Sequence, residues 1–290
     1  MSIFYLGALI KEFREQQGLT REELAGDFCA VSTLQRIENG KQLPNRKLVN
    51  QLFSVLNGEK YPSDDMLELT EADKNRPYII HKIEEHIFCH KYDYELLLSE
   101  YADYGKMDSF DEQAYLYYLA LLKKHNGATL DEVFYILTKA AALTIKSRRD
   151  DFLPTRNLLT ATEARVVRKI AMIYYSKGKK ELALEFMRYF DRFYTRGICE
   201  KELMLYEKPM IYYYLTLWEK EAKNYDRCAK AAEKGVSACV QCGAITPLPY
   251  LYDSMFSSLS ILNQQATTEH QKLGAIVLRH IPFVEVQDIL

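Results

Sequence analysis

The sequence predicts an all-α fold, and three observations carry that expectation. Apolar residues recur at three- and four-residue spacing, the alternation of a half-buried strand is absent, and beyond about residue 62 Gly and Pro are sparse within the periodic stretches. With 48% hydrophobic and 12% aromatic residues in 290, the chain has ample material for a buried core.

The first elements are short. Leu6, Leu9, Ile10 and Phe13 repeat at i, i+3, i+4 and i+7 and give a first helix one apolar face, which Gly18 ends. Thr20 followed three residues later by Glu23 is a capping box, starting a second helix that ends near Asp27. Leu34 and Ile37 anchor a third helix closed by Asn39-Gly40, and Leu48, Leu52, Val55 and Leu56 define a fourth after Pro44. Four short helices in under sixty residues make a compact bundle.

Longer amphipathic helices follow, expected at about 64–74, 77–90, 92–104, 110–125, 130–146, 157–177, 179–195, 200–222, 224–242, 248–263 and 267–281. Short polar breaks between them imply antiparallel pairs. Two stretches share a pattern: Ala171 to Gly178 followed by Leu182-Ala183-Leu184, and Leu217 to Tyr225 followed by Cys228-Ala229. Each is a helix, a tight polar turn and a second helix with a small residue for close packing, as in a degenerate tetratricopeptide repeat. The expected organisation is therefore a helical bundle over 1–60, a linker with a helix over 61–76, and tetratricopeptide-like helix pairs over 77–290 wound as a right-handed superhelix. The concave face of such an array suits an extended peptide.

The net charge of -2 hides little asymmetry, with 8 basic and 7 acidic residues in positions 1–60 and 30 against 33 in the remainder. No basic tail announces a nucleic-acid partner; the one local basic patch is Arg36, Lys41, Arg46 and Lys47. No apolar run approaches the roughly 20 residues of a membrane span, so a cytoplasmic chain is expected. Its six cysteines are then expected to be reduced thiols.

The second and third helices, with their short connection, read as a helix-turn-helix. In that motif the third helix enters the major groove, its outward residues meeting base edges while its apolar ones hold it to the bundle. Leu34 and Ile37 take the inward role. Ser32, Thr33 and Arg36 point the other way, and the fork of Arg36 suits the O6 and N7 of a guanine. Thr20, Arg21, Gln35, Asn39, Lys41 and Arg46 are candidates for phosphate contacts that set the register. Arg14 and Glu38 are expected to pair with each other and clamp the bundle.

The run Phe28-Cys29-x-x-Ser32-x-Leu34-x-Arg36-Ile37-Glu38-Asn39-Gly40-Lys41-x-x-Pro44 resembles the N-terminal domain of the Rgg/PlcR group of transcription regulators. The resemblance implies a phage-repressor-type, XRE-family DNA-binding domain followed by a tetratricopeptide-like domain that binds short secreted peptides after their import, as in quorum sensing. It implies double-stranded DNA with two half-sites and a homodimer; one recognition helix reads only a few base pairs, so pairing also follows from specificity. Cys29 stands where phage repressors carry a turn glycine, a departure the group shares.

Candidate peptide contacts come from the first helices of the pairs. Tyr115, Tyr117, Tyr118, Tyr174, Tyr175, Tyr212, Tyr213 and Tyr214 lie there, and a tyrosine offers an apolar body with a hydroxyl. Three consecutive tyrosines cannot share one face, so some are core; Tyr175 and Tyr213 are taken for the groove. Arg165 and Arg168, about one turn apart, are candidates for a peptide carboxylate.

Enzyme signatures are absent, and neither a cofactor nor a metal is expected. Cys239-Val240-Gln241-Cys242 lacks a second ligand pair, and with Cys228 it falls on the apolar stripe of Ala231, Ala232 and Val236. His86 and His90, at i and i+4, have no carboxylate placed to complete a site. The reading that follows is a peptide-switched, DNA-binding regulator; its alternatives are a helical-repeat scaffold and a dimeric regulator with no peptide ligand.

Overall fold

A computed structural model describes residues 3–39, 41–42, 44, 46–57, 71–145, 147, 151–155, 159–195 and 207–283. Among the described residues the regular structure is fourteen helices and one isolated bridge between Ser147 and Pro154. Two compact units divide the chain between Lys106 and Met107. The composition breaks in the sequence fall earlier, at 60/61 and 76/77.

In the first unit α1 (Ile3–Gln16) lies against α3 (Val31–Glu38) and α4 (Arg46–Asn57), and α2 (Arg21–Ala25) against α3 and α4. Leu6, Ile10, Leu24, Ala25, Leu34, Ile37, Leu52, Phe53 and Leu56 form its core. Fully burying each large aliphatic side chain contributes about 1.5–3 kcal/mol. Val55, expected on the inner stripe of α4, is instead exposed, and the buried face extends the other way to Val49 and Phe53. A Cβ added at Gly7 would stand 1.8 Å from the carbonyl oxygen of Ile37, so only glycine lets α1 and α3 approach this closely.

The same unit contains α5 (Glu71–Phe88) packed on α6 (Glu95–Asp103). The sequence predicts a break at 75–76, yet α5 runs straight through the exposed Pro77. Proline removes one helical hydrogen bond at a cost of about 3 kcal/mol. The tertiary structure offsets this, because buried Ile79 and Ile83 hold the helix on one side and its neighbour Arg76 is anchored. The Arg76 guanidinium donates to the carbonyls of Tyr104 (2.9 Å) and Gly105 (3.0 Å), and more weakly to Tyr101 and Lys106. It thereby caps the negative end of α6. Helix α5 also stops at Phe88 rather than 90: His90 takes φ 54° and its amide bonds back to Ile87, while that of Lys91 bonds to His86. His86 and His90 are thus not successive turns of one helix, and His86 Nδ1 is paired with Asp93 Oδ1 at 2.7 Å.

The second unit contains α7 (Ser109–His125), α8 (Leu130–Thr144), α9 (Ala161–Ser176), α10 (Lys180–Thr195), α11 (Lys208–Glu221), α12 (Tyr225–Cys242), α13 (Leu248–Ile261) and α14 (Thr268–His280). Each helix packs on the next in sequence, and the first helices of adjacent pairs touch in α7–α9 and α11–α13. This is the contact pattern of a hairpin repeat. Helix α9 begins at Ala161 rather than 157, because Thr160 and Glu163 form a capping box that sets its start. Helix α11 starts at Lys208, with Pro209 in its first turn; the residues 200–206 expected to precede it lie outside the described residues, as does most of the expected 64–74 helix.

All four hairpin turns here close in one way. The first helix ends on a residue with positive φ, Gly127, Gly178, Lys223 or Asn263, whose amide bonds three residues back while the next amide bonds five back. That double bond satisfies the last carbonyls of the helix and fixes the exit direction of the chain. The α5–α6 turn at His90 follows the same rule.

Candidate nucleic-acid interface

Helix α3 buries Leu34, Ile37 and Glu38 and exposes Val31, Ser32, Gln35 and Arg36; Thr33 is half-buried, and Asn39 and Lys41 beyond its end are exposed. Its inner face is tied down by charge as well as by apolar contact. Arg14 Nε donates to Glu38 Oε1 at 2.6 Å, Arg21 Nε donates to Glu38 Oε2 at 2.7 Å, and Arg14 Nη1 reaches the carbonyl of Leu19 at 2.8 Å. One buried carboxylate thus joins α1, α2 and α3. The hydrogen bond to Glu38 raises the pKa of Arg14 above the ordinary arginine value, so its guanidinium stays ionised.

The expected pairing of Arg14 with Glu38 is present, and Arg21, taken from the sequence for a phosphate contact, shares it. Its side chain is one-third exposed. Thr20 Oγ1 accepts from the Glu23 amide and Glu23 Oε2 accepts from the Thr20 amide, which completes the box that starts α2. Arg46 opens α4, but its side chain lies outside the described residues, as does Gly40.

The candidate peptide contacts meet different surroundings. On α9 twelve of sixteen residues are buried, Arg168 and Lys169 among them. Arg168 Nε donates to Glu207 Oε2 at 2.8 Å and Arg165 Nε to Glu207 Oε1 at 3.3 Å, so both arginines converge on one carboxylate. No local signal points to Glu207, which lies about forty residues from both. Tyr175 is half-buried and stacks on Trp218, with ring centroids 4.3 Å apart and an interplanar angle of 6°. Tyr213 is 8% exposed and meets Tyr214 and Tyr250 edge-on, so it belongs to the core.

The cysteine pair is part of the packing. Cys228 and Cys239 are fully buried, and burial pushes the Cys239 thiol up to about 12, which keeps it protonated. No His, Cys, Asp and Glu cluster able to hold a metal occurs among the described residues, and no described helix is long and apolar enough to cross a membrane.

With this geometry in place, residues 5–59 match the family described as helix-turn-helix domain, the domain to which the Phe28–Pro44 resemblance pointed. No curated protein matches the chain. Similar solved structures include PlcR of Bacillus thuringiensis in complex with the peptide PapR7 and DNA, at 13% identity over 95% of this chain and 94% of that one, with a TM-score of 0.49. Another is the SHP pheromone receptor Rgg2 of Streptococcus dysgalactiae, at 11% identity over 95% and 98% of the two chains, with a TM-score of 0.37. Likeness this distant leaves the assignment of function to the chain's own residues.

Proposed function

We propose that the chain is a sequence-specific transcription regulator of the cytoplasm, acting as a homodimer on double-stranded DNA with two half-sites. The observation that carries this reading is the outward face of α3, where Ser32, Gln35 and Arg36 stand exposed on a helix held to its bundle through Glu38. Arg36 reads a guanine and Ser32 and Thr33 meet neighbouring base edges, while Thr20, Gln35, Asn39, Lys41 and Arg46 set the register on phosphates. Arg21 contributes to that register from its exposed third. Because positions 1–60 are nearly charge-balanced, a single copy attracts DNA weakly and binding depends on pairing. The test is enrichment of sites by the full chain from a random duplex pool: a two-part site whose recognition is lost in Arg36→Ala supports the reading, and no enrichment refutes it.

We further propose that the hairpin array, taken as the sensing and dimerisation domain over 77–290, binds a short signalling peptide that switches this activity. Tyr175 supplies a half-buried aromatic surface, and a peptide carboxylate exchanges with Glu207 on Arg165 and Arg168. Thermal denaturation against a panel of short peptides tests this, since a ligand that binds only the folded state raises the melting temperature. A second reading, a dimeric regulator whose array takes no peptide, is favoured by the occupation of both arginines and the burial of Tyr213. A flat response across the panel decides for it.

A further inference from the structure

The start of the recognition helix lacks a side-chain cap, as the starts of α6, α11, α12 and α13 also do, and it is set apart by its place in the motif. Helices α2, α7, α8, α9 and α14 begin on Thr20, Asp108, Thr129, Thr160 and Thr267, each accepting a hydrogen bond from a first-turn amide. Helix α3 begins on Ala30 with no side-chain cap. The chain there gives up the stabilisation that a capping residue supplies. It also places apolar groups in water: Phe28 is 39% and Val31 36% exposed, and Ala30 between them is exposed as well. What carries weight is that these apolar groups lie exposed at the one helix end that a helix-turn-helix turns towards base edges.

Val31 is the first residue of α3, and Gln35 one turn later and Ser32 beside it are exposed too. We propose that Val31 is a specificity-determining residue that packs on the 5-methyl group of a thymine in each half-site. The inference rests on the DNA-binding reading above. In the major groove thymine alone presents an apolar group, while adenine, cytosine and guanine present only donors and acceptors. A valine side chain offers no hydrogen bond, so a cytosine amino group facing it would lose water and gain no acceptor. Contact with the methyl therefore both rewards thymine and penalises the alternatives.

The test uses the full chain and a duplex selected from a random pool, in which each thymine is replaced singly by deoxyuridine, removing the methyl and nothing else. Affinity is read by fluorescence anisotropy for the wild-type chain, Val31→Ser and Val31→Ala. One thymine per half-site should weaken wild-type binding about fourfold when its methyl is lost, the effect of exposing one methyl-sized group. Val31→Ser should be indifferent at that position only, and Val31→Ala should show a smaller loss than wild type. Equal sensitivity in wild type and Val31→Ser, or none in wild type, overturns the proposal while leaving DNA binding intact. Failure of wild type to enrich any site overturns the DNA-binding reading instead. If Val31→Ser leaves DNA affinity and its thymine dependence unchanged but shifts the sedimentation coefficient, the apolar surface belongs to a contact between copies of the chain, and the proposal falls.

Discussion

The two units use one device for opposite ends. In the first, Glu38 joins Arg14 and Arg21 beneath the recognition helix; Arg21, expected on a phosphate, is drawn into the clamp, but Ser32, Gln35 and Arg36 remain exposed outside it. In the second, Glu207 joins Arg165 and Arg168, and those arginines are themselves the residues expected to meet a ligand. A polar residue in the sequence signals a surface only when its helix has a free face. Helix α3 buries three of eight residues, so polarity there predicts exposure. Helix α9 buries twelve of sixteen and is crowded on nearly every side, so an arginine on it must find an internal partner.

The sharpest way to break this comparison is to remove each carboxylate. Glu38→Ala strands Arg14 in the bundle and should cost the first unit about 3–5 kcal/mol in urea unfolding. Glu207→Ala should cost less, about 2 kcal/mol, because the Glu207 side chain is 9% exposed where Glu38 is fully buried, so water can enter the place it leaves. Equal losses would mean that the two clamps do not differ in kind. Next in size, Gly7→Ala should destabilise the first unit by about 2–3 kcal/mol, since the new methyl group cannot coexist with the Ile37 carbonyl. An unchanged unfolding midpoint for this variant would show that α1 and α3 can part without penalty.

Two arginines sharpen the comparison within the first unit. Arg36→Ala should weaken operator binding by about 1–3 kcal/mol, roughly 5- to 150-fold, and leave the melting temperature alone. Arg21→Ala should lower the melting temperature through the loss of its bond to Glu38, with at most a one-unit change in the salt slope of DNA binding. The reverse pattern would exchange their roles. The smallest effect concerns the thiols: iodoacetamide at pH 8 should label exposed Cys89 on the native chain and spare Cys239. Because the folded-state pKa of Cys239 is raised, its contribution to stability is complete below the ordinary thiol value of about 8.5 and is lost as pH rises towards about 12. Stability that is flat across that alkaline window would contradict a buried neutral thiol.

Much of the fold was legible because its signals are local. Thr20 and Glu23, Gly18, and the periodic leucines of α1 to α4 each act within one or two turns, and the helix pairs announced themselves in the stretches ending at Gly178 and Tyr225. What escaped depends on distant partners. Pro77 looks like a helix break until Arg76 is seen anchored to the end of α6, and Arg165 looks like a free cation until Glu207 arrives from forty residues away. Val31 is hidden in the sequence for another reason. It is apolar, and an apolar residue one turn from Leu34 in a helical pattern reads as core, whereas in the structure it is exposed.

The uniform hairpin turns bear on how the chain can vary in length. From Ser176 to Lys180 and from Glu221 to Tyr225 the exit of one helix and the entry of the next are tied by backbone bonds within six residues, so one inserted residue would rotate the second helix off its partner. Between pairs the connections from Thr144 to Ala161 and from Thr195 to Lys208 are longer, while the one from Cys242 to Leu248 is short and tied at Gly243 and Ala244. Insertions and deletions should therefore be accommodated in those two long connections and rejected within the hairpins, so that the array varies in length where its chain is least prescribed.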